Sequence, residues 1–258
     1  MASPYAQLAH RVRLEWGPVG AAETAPHSTY AVVVDVLSFS TTLSVAMDLG
    51  AEVVPYRWRN DGAAELARAR GATLAVGRLE AAADPASDVV SLSPATLRES
   101  SGVERLVLPS PNGSAISFAL ARGGAQVVGA CLRNRSAVAA WLATRLLAEA
   151  DATVVVVAAG ERWAGDDSLR PALEDLLGAG AVVAALGAAG VDGWSPEASA
   201  AAYTFEACQG SLSDVLRSCS SGQELIGRSF GEDVDIAAEL DSSLHVPVLR
   251  DDAFVRAQ

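Results

Sequence analysis

Apolar runs of strand length alternate along the chain with stretches whose apolar residues recur every three or four positions. The runs predict strands at Arg11–Trp16, Tyr30–Val36, Glu52–Tyr56, Thr73–Val76, Arg105–Leu108, Gln126–Cys131, Thr153–Ala158 and Leu244–Leu249. The periodic stretches predict helices at Ser40–Leu49, Asp61–Arg70, Gly113–Arg122, Arg135–Ala150, Arg170–Ala189, Pro196–Gln209 and Ser211–Ser218. Strands and helices taking turns in this way predict a mostly parallel sheet with helices on both faces. In such folds ligands gather where strand carboxyl ends meet helix N-termini.

The 258 residues fit one large α/β domain, expected to span 1–258. Half are hydrophobic and 19% are charged, a balance that excludes disorder. The only candidate seams are the loop Glu80–Ser93 and the turn Val191–Pro196, and both are too short to impose a second domain. The N-terminus lacks the apolar run of a signal peptide, and no stretch approaches an uninterrupted membrane span. Cys131, Cys208 and Cys219 show neither metal-knuckle nor disulfide-framework spacing, so a reduced, cytoplasmic setting is expected.

Charge narrows the partners. A formal net charge of −12, with scattered basic residues, argues against nucleic acid and against a membrane surface. It would also repel an anionic small molecule unless a local cation or metal reversed the field. All 19 basic residues are Arg, which excludes Schiff-base, P-loop Lys and Ser-Lys chemistry. His10, His27 and His245 lack metal-ligand spacing, and no GxSxG elbow occurs.

Four strand ends carry candidate chemistry. The first is VVVDVLSFSTTL, where Asp35 closes a buried strand and Ser40, Thr41 and Thr42 open a helix. These hydroxyls either cap the helix or, with Asp35 and a bridging Mg²⁺, form an anion site. The second, Ser110-Pro111-Asn112-Gly113-Ser114, is either an ordinary turn or a main-chain cradle for phosphate or carboxylate. At the third, Asn134 is a natural N-cap, and Arg133 or Arg135 could clamp an anionic oxygen. The fourth carries Glu174 and Asp175 in the first turn of an apolar helix, where acids complement the dipole or could join Asp35 around a metal.

In chain order these pieces resemble the 2-phosphosulfolactate phosphatase family, Mg²⁺-dependent enzymes of coenzyme M biosynthesis. The likeness runs through DVLSFSTT (35–42), LSP (92–94), SPNGSA (110–115), LRNRSAV (132–138), AAG (158–160), LEDLLGAGA (173–181) and GEDVDIAAELDSSLHVPVL (231–249). The resemblance implies a three-layer α/β/α sandwich and hydrolysis of the phosphate ester of a small acidic substrate, with Mg²⁺ as cofactor. It implies Asp35 and Asp175 as catalytic residues, and Asp35, Glu174 and Asp175 as metal ligands. Ser38, Ser40, Thr41, Thr42, Ser110, Asn112, Gly113, Ser114 and Asn134 are then the substrate-binding candidates. The family usually has Arg where this chain has Ser38, and Gly-Glu where it has Gly77-Arg78. That pair of departures reads either as a compensating swap or as a changed substrate.

Two rivals stand beside this reading. A haloacid-dehalogenase-type phosphatase would also use Asp35, but it wants a second Asp at the position of Leu37. A non-catalytic binder of small acids could keep the fold and lose the chemistry. The apolar small-residue helix around 179–190 could be core or an interface of a homo-oligomer.

Overall fold

Tyr30–Val34 shows why this sequence makes a buried sheet: all five residues are shielded from solvent, and alternate side chains serve opposite faces. A computed structural model, which describes residues 3–57, 62–83 and 90–258, places this strand near the middle of a nine-stranded sheet. The strands are β1 (Val12–Trp16), β2 (Tyr30–Val34), β3 (Glu52–Tyr56), β4 (Thr73–Leu74), β5 (Arg105–Pro109), β6 (Gln126–Ala130) and β7 (Val154–Ala158). A small separate hairpin, β8 (Glu161–Arg162) with β9 (Leu169–Arg170), follows β7, and β10 (Pro247–Arg250) and β11 (Ala253–Arg256) close the chain. The sheet order is β1-β7-β2-β6-β10-β11-β3-β5-β4. Neighbours are parallel except around the β10–β11 hairpin, which wedges antiparallel between β6 and β3.

Twelve α-helices lie among the described residues: α1 (Gly17–Thr24), α2 (Phe39–Asp48), α3 (Gly62–Arg70), α4 (Arg78–Ala83), α5 (Pro94–Glu99), α6 (Gly113–Arg122), α7 (Arg135–Ala148), α8 (Leu173–Ala188), α9 (Pro196–Cys208), α10 (Leu212–Ser218), α11 (Ser220–Gly227) and α12 (Gly231–Ala237). Val32 and Val34 pack with Leu142 of α7, Val182 of α8 and Phe205 of α9. On the other face Ala31 and Val33 join Leu43 of α2, Leu97 of α5 and Leu120 of α6. The result is the expected α/β/α sandwich with a mostly parallel sheet. Gly178 sets the spacing of the first layer, because a Cβ there would stand 2.6 Å from a methyl of Val36.

The differences from expectation are local. Several predicted elements shorten by a few residues, and Asp61 lies outside the described residues, as does 84–89 of the predicted Glu80–Ser93 seam. Helices α1, α4, α5, α11 and α12 and strands β8, β9 and β11 are absent from the predicted elements, being too short to show a clear period. No described helix is long and apolar enough to cross a membrane.

Candidate active site

The carboxyl ends of β2, β5 and β7 meet over one concave wall, and Asp35 stands at its floor. Its Oδ1 accepts the N–H of Phe39 at 3.1 Å, and its Oδ2 accepts the N–H of Gly113 at 3.0 Å. Both donors are orphan amides at helix starts, so α2 and α6 aim their positive ends at one carboxylate. Only glycine suits the second start: a Cβ on Gly113 would fall 2.2 Å from Cδ1 of Phe39. Ser40 completes the turn, accepting from the Asp35 N–H at 3.0 Å while its own N–H donates to the Asp35 carbonyl at 2.8 Å.

Three further acids crowd around Asp35. Asp175 accepts the N–H of Val36 at 2.7 Å on Oδ1 and that of Gly160 at 2.8 Å on Oδ2. Burial, then the charges of Glu174 and Asp35, push its carboxyl well above the usual range. Glu161 on β8 accepts from the Asn112 amide at 3.2 Å, and burial followed by repulsion from Asp35 and Glu174 raises it to about 7. Asp35 itself is raised to about 6, chiefly by burial, although its two amide donors and Arg78 pull the other way. Glu174 is almost fully buried, with the Cys219 thiol 3.5 Å from its Oε2. Burial and the charge of Glu174 hold that thiol up at about 11, so it stays protonated.

A cation faces this acidic floor. Arg78 of α4 donates through Nε to Asp233 Oδ2 at 2.7 Å and through Nη2 to the hydroxyl of Ser38. Asp233, buried on α12, also accepts from the Ser93 hydroxyl and from the Ala95 N–H at 3.3 Å. The cavity between these groups is about 320 Å³, walled by Asp35, Ser38, Thr42, Arg78, Ser110, Asn112 and Glu161, with Ser221 and Arg228 reaching in from the α11 side. That size suits a small polar molecule.

Residues 20–252 match the family described as 2-phosphosulpholactate phosphatase. The chain belongs to that family. It is 30% identical, over 95% of its own length and 94% of the relative's, to the 2-phosphosulfolactate phosphatase of Methanothermobacter thermautotrophicus. It is 33% identical, over 88% and 91% of the two lengths, to a protein of Parasynechococcus marenigrum named "Probable 2-phosphosulfolactate phosphatase".

For this member of the 2-phosphosulpholactate phosphatase family, the structure divides the expected site residues in two. Asp35, Ser38, Thr42, Ser110 and Asn112 line the cavity, and Gly113 supplies an amide to its floor. Ser40, Thr41 and Ser114 turn inward to main-chain carbonyls of Val33, Val36 and Leu108. Thr42 touches the cavity but also donates to the Leu92 carbonyl at 2.9 Å. Asn134 accepts from Cys131 N and donates to the carbonyls of Gly129 and His245, away from the cavity. Arg133 is buried against Ser44, Asp48 and Glu239, and Arg135 pairs with Asp241, so neither reaches the cavity. Asp175 and Glu174 lie behind the wall, with both oxygens of Asp175 tying the ends of β2 and β7 together. Arg78 and Ser38 are in hydrogen-bond contact, so a cation stands beside Ser38.

The residues missed from sequence are Glu161, Ser93, Ser221, Arg228 and Asp233. Their signal was weak: Asp233 and Ser93 fall within segments quoted for the family likeness, but as single polar residues far from the strand ends already under suspicion.

Among the described residues no group of three His, Cys, Asp or Glu side chains surrounds a common point, so the set Asp35, Glu174 and Asp175 does not form a ready cage. The donor chemistry nevertheless suits Mg²⁺. This ion takes hard oxygens and is commonly held by one or two carboxylates, with waters and substrate phosphate filling the remaining positions. Asp35, on the cavity wall with its carboxylate fixed by two main-chain amides, is such a ligand.

Proposed function

We propose that the chain is a phosphoric monoester hydrolase acting on a short phosphorylated acid, with Mg²⁺ as its assisting ion. Its relatives are named for 2-phosphosulfolactate, and this chain is inferred to share that substrate. The observation that carries this reading is the pairing, across one small cavity, of an amide-held carboxylate at Asp35 with a raised carboxyl at Glu161.

Hydrolysis of a phosphate ester forms a new bond from phosphorus to water, or to a carboxylate that water later displaces, as the bond between phosphorus and the alcohol oxygen breaks, and the alcohol oxygen must gain a proton as it leaves. Glu161, raised to about 7, still holds a proton near neutrality and can give it to the departing oxygen. Asp35, fixed by two main-chain amides, stays in one orientation and would hold Mg²⁺. When bound, the ion would offset negative charge on the transferring group and on the acids beneath it. Ser38, Ser110 and Asn112 offer neutral donors to the remaining oxygens.

The test is phosphate release from a panel of phosphorylated hydroxy acids, with Mg²⁺ and with a chelator. Release from 2-phosphosulfolactate that stops in chelator and returns with Mg²⁺ is expected. No release from any ester, with Mg²⁺ present, would sink the reading.

A further inference from the structure

Resting on that phosphatase reading, we infer that Arg78, positioned by Asp233, selects the substrate's second anionic group, a carboxylate or sulfonate. Acids and cation reach the cavity from different elements: Asp35 and Glu161 follow the ends of β2 and β7, while Arg78 is carried by α4 and bonds to Ser38.

Arg78 is built for a fixed position. Its side chain is 16% exposed and that of Asp233 only 1%. Asp233 is in turn held by the Ser93 hydroxyl and the Ala95 N–H at the start of α5. The guanidinium also lies 5.8 Å from the centre of the Phe230 ring. Two segments remote in sequence thus converge to aim one cation, an arrangement that costs conformational freedom and desolvation and makes sense where orientation matters. Asp233 is a positioning residue here, since Arg78 stands between it and the cavity.

The same residue borders a second space of about 640 Å³, which shares Leu92, Pro109, Leu225 and Arg228 with the first cavity. Arg78 therefore sits at the junction, where the non-reacting end of a ligand would lie. A planar, always-charged fork suits a carboxylate or sulfonate at that point.

Three esters with one carbon skeleton but different acid content separate the possibilities: glycerol 2-phosphate, 2-phosphoglycerate and 2-phosphosulfolactate. In the wild type kcat/KM should rise with acid content. In Arg78→Ala the preference for the acidic esters over glycerol 2-phosphate should fall about tenfold to a hundredfold, the range for losing a charge-assisted hydrogen bond. Arg78→Lys should restore part of it, because the charge remains and the fork does not. Asp233→Asn, which keeps the side chain's shape, should lower the same preference mainly through KM, whereas a merely structural defect would slow all three esters alike. An unchanged preference in Arg78→Ala, or an equal loss on all three, would overturn the inference. If the wild type hydrolyses none of them, the phosphatase reading fails separately. Calorimetry with 3-sulfolactate then decides: binding weakened at least tenfold in Arg78→Ala supports the assignment, and equal or absent binding in the two proteins refutes it.

Discussion

Asp35 should make the metal-free protein lose stability as pH rises, and Asp35→Asn should remove its share of that loss. Burial lifts this carboxyl from 3.8 to about 6 in the fold, so between those values the native state keeps a proton that the unfolded chain has given up. The stabilising contribution of the protonated group is complete below the unfolded value and disappears as pH climbs through about 6. At about 1.36 kcal/mol for each tenfold change, the whole effect is about 3 kcal/mol, and most of it falls between about pH 4 and about pH 8. Asparagine carries no charge, but it can offer only one oxygen to the amides of Phe39 and Gly113, which costs about 1–3 kcal/mol at every pH. Comparing slopes with pH, and not single values, separates these two effects. The assay is urea unfolding in chelator across that pH range, for wild type and variant. The wild type should lose about 2–3 kcal/mol more than Asp35→Asn. Parallel curves would show that Asp35 is no more buried or crowded than an ordinary surface acid.

Other outcomes follow from the same geometry. Asp175→Ala leaves the buried amides of Val36 and Gly160 without acceptors, so unfolding free energy should drop by about 2–4 kcal/mol, read by urea denaturation. Gly113→Ala drives a methyl into Phe39 and should cost about 1–3 kcal/mol in the same assay, while lowering kcat because the amide leaves Asp35. The rate should fall on the alkaline side as Glu161, which burial raises above the usual carboxyl range, gives up its proton, and the residual rate of Glu161→Gln should lack this alkaline limb in a pH profile of kcat.

The sheet was legible because its strands are apolar at nearly every position, a consequence of burial on both faces. Asp35 was legible for the complementary reason, as an acid interrupting such a run where the strand ends. The hydroxyls after it were harder to place. Ser40, Thr41 and Ser114 bond to nearby main chain, as short polar side chains at helix starts tend to do, and a linear pattern does not distinguish this from facing a ligand. Arg78 and Asp233 lie 155 residues apart, and only the fold brings them together. Glu161 lies just beyond the carboxyl end of β7, at a strand end the sequence marks, but on a two-residue strand with no periodic signature that would single it out from its neighbours. Glu174 and Asp175 were visible as acids in a first turn, but that pattern could not tell a cavity wall from the layer behind it.

The central claim is that phosphate esters are hydrolysed in the cavity between Asp35 and Glu161. The most direct measurement is steady-state phosphate release from 2-phosphosulfolactate with Mg²⁺, comparing wild type with Asp35→Asn and Glu161→Gln, each confirmed folded by its melting curve. Loss of an anchoring carboxylate or of a general acid should lower kcat by about a hundredfold or more in both folded variants. Wild-type rates in either folded variant would contradict it.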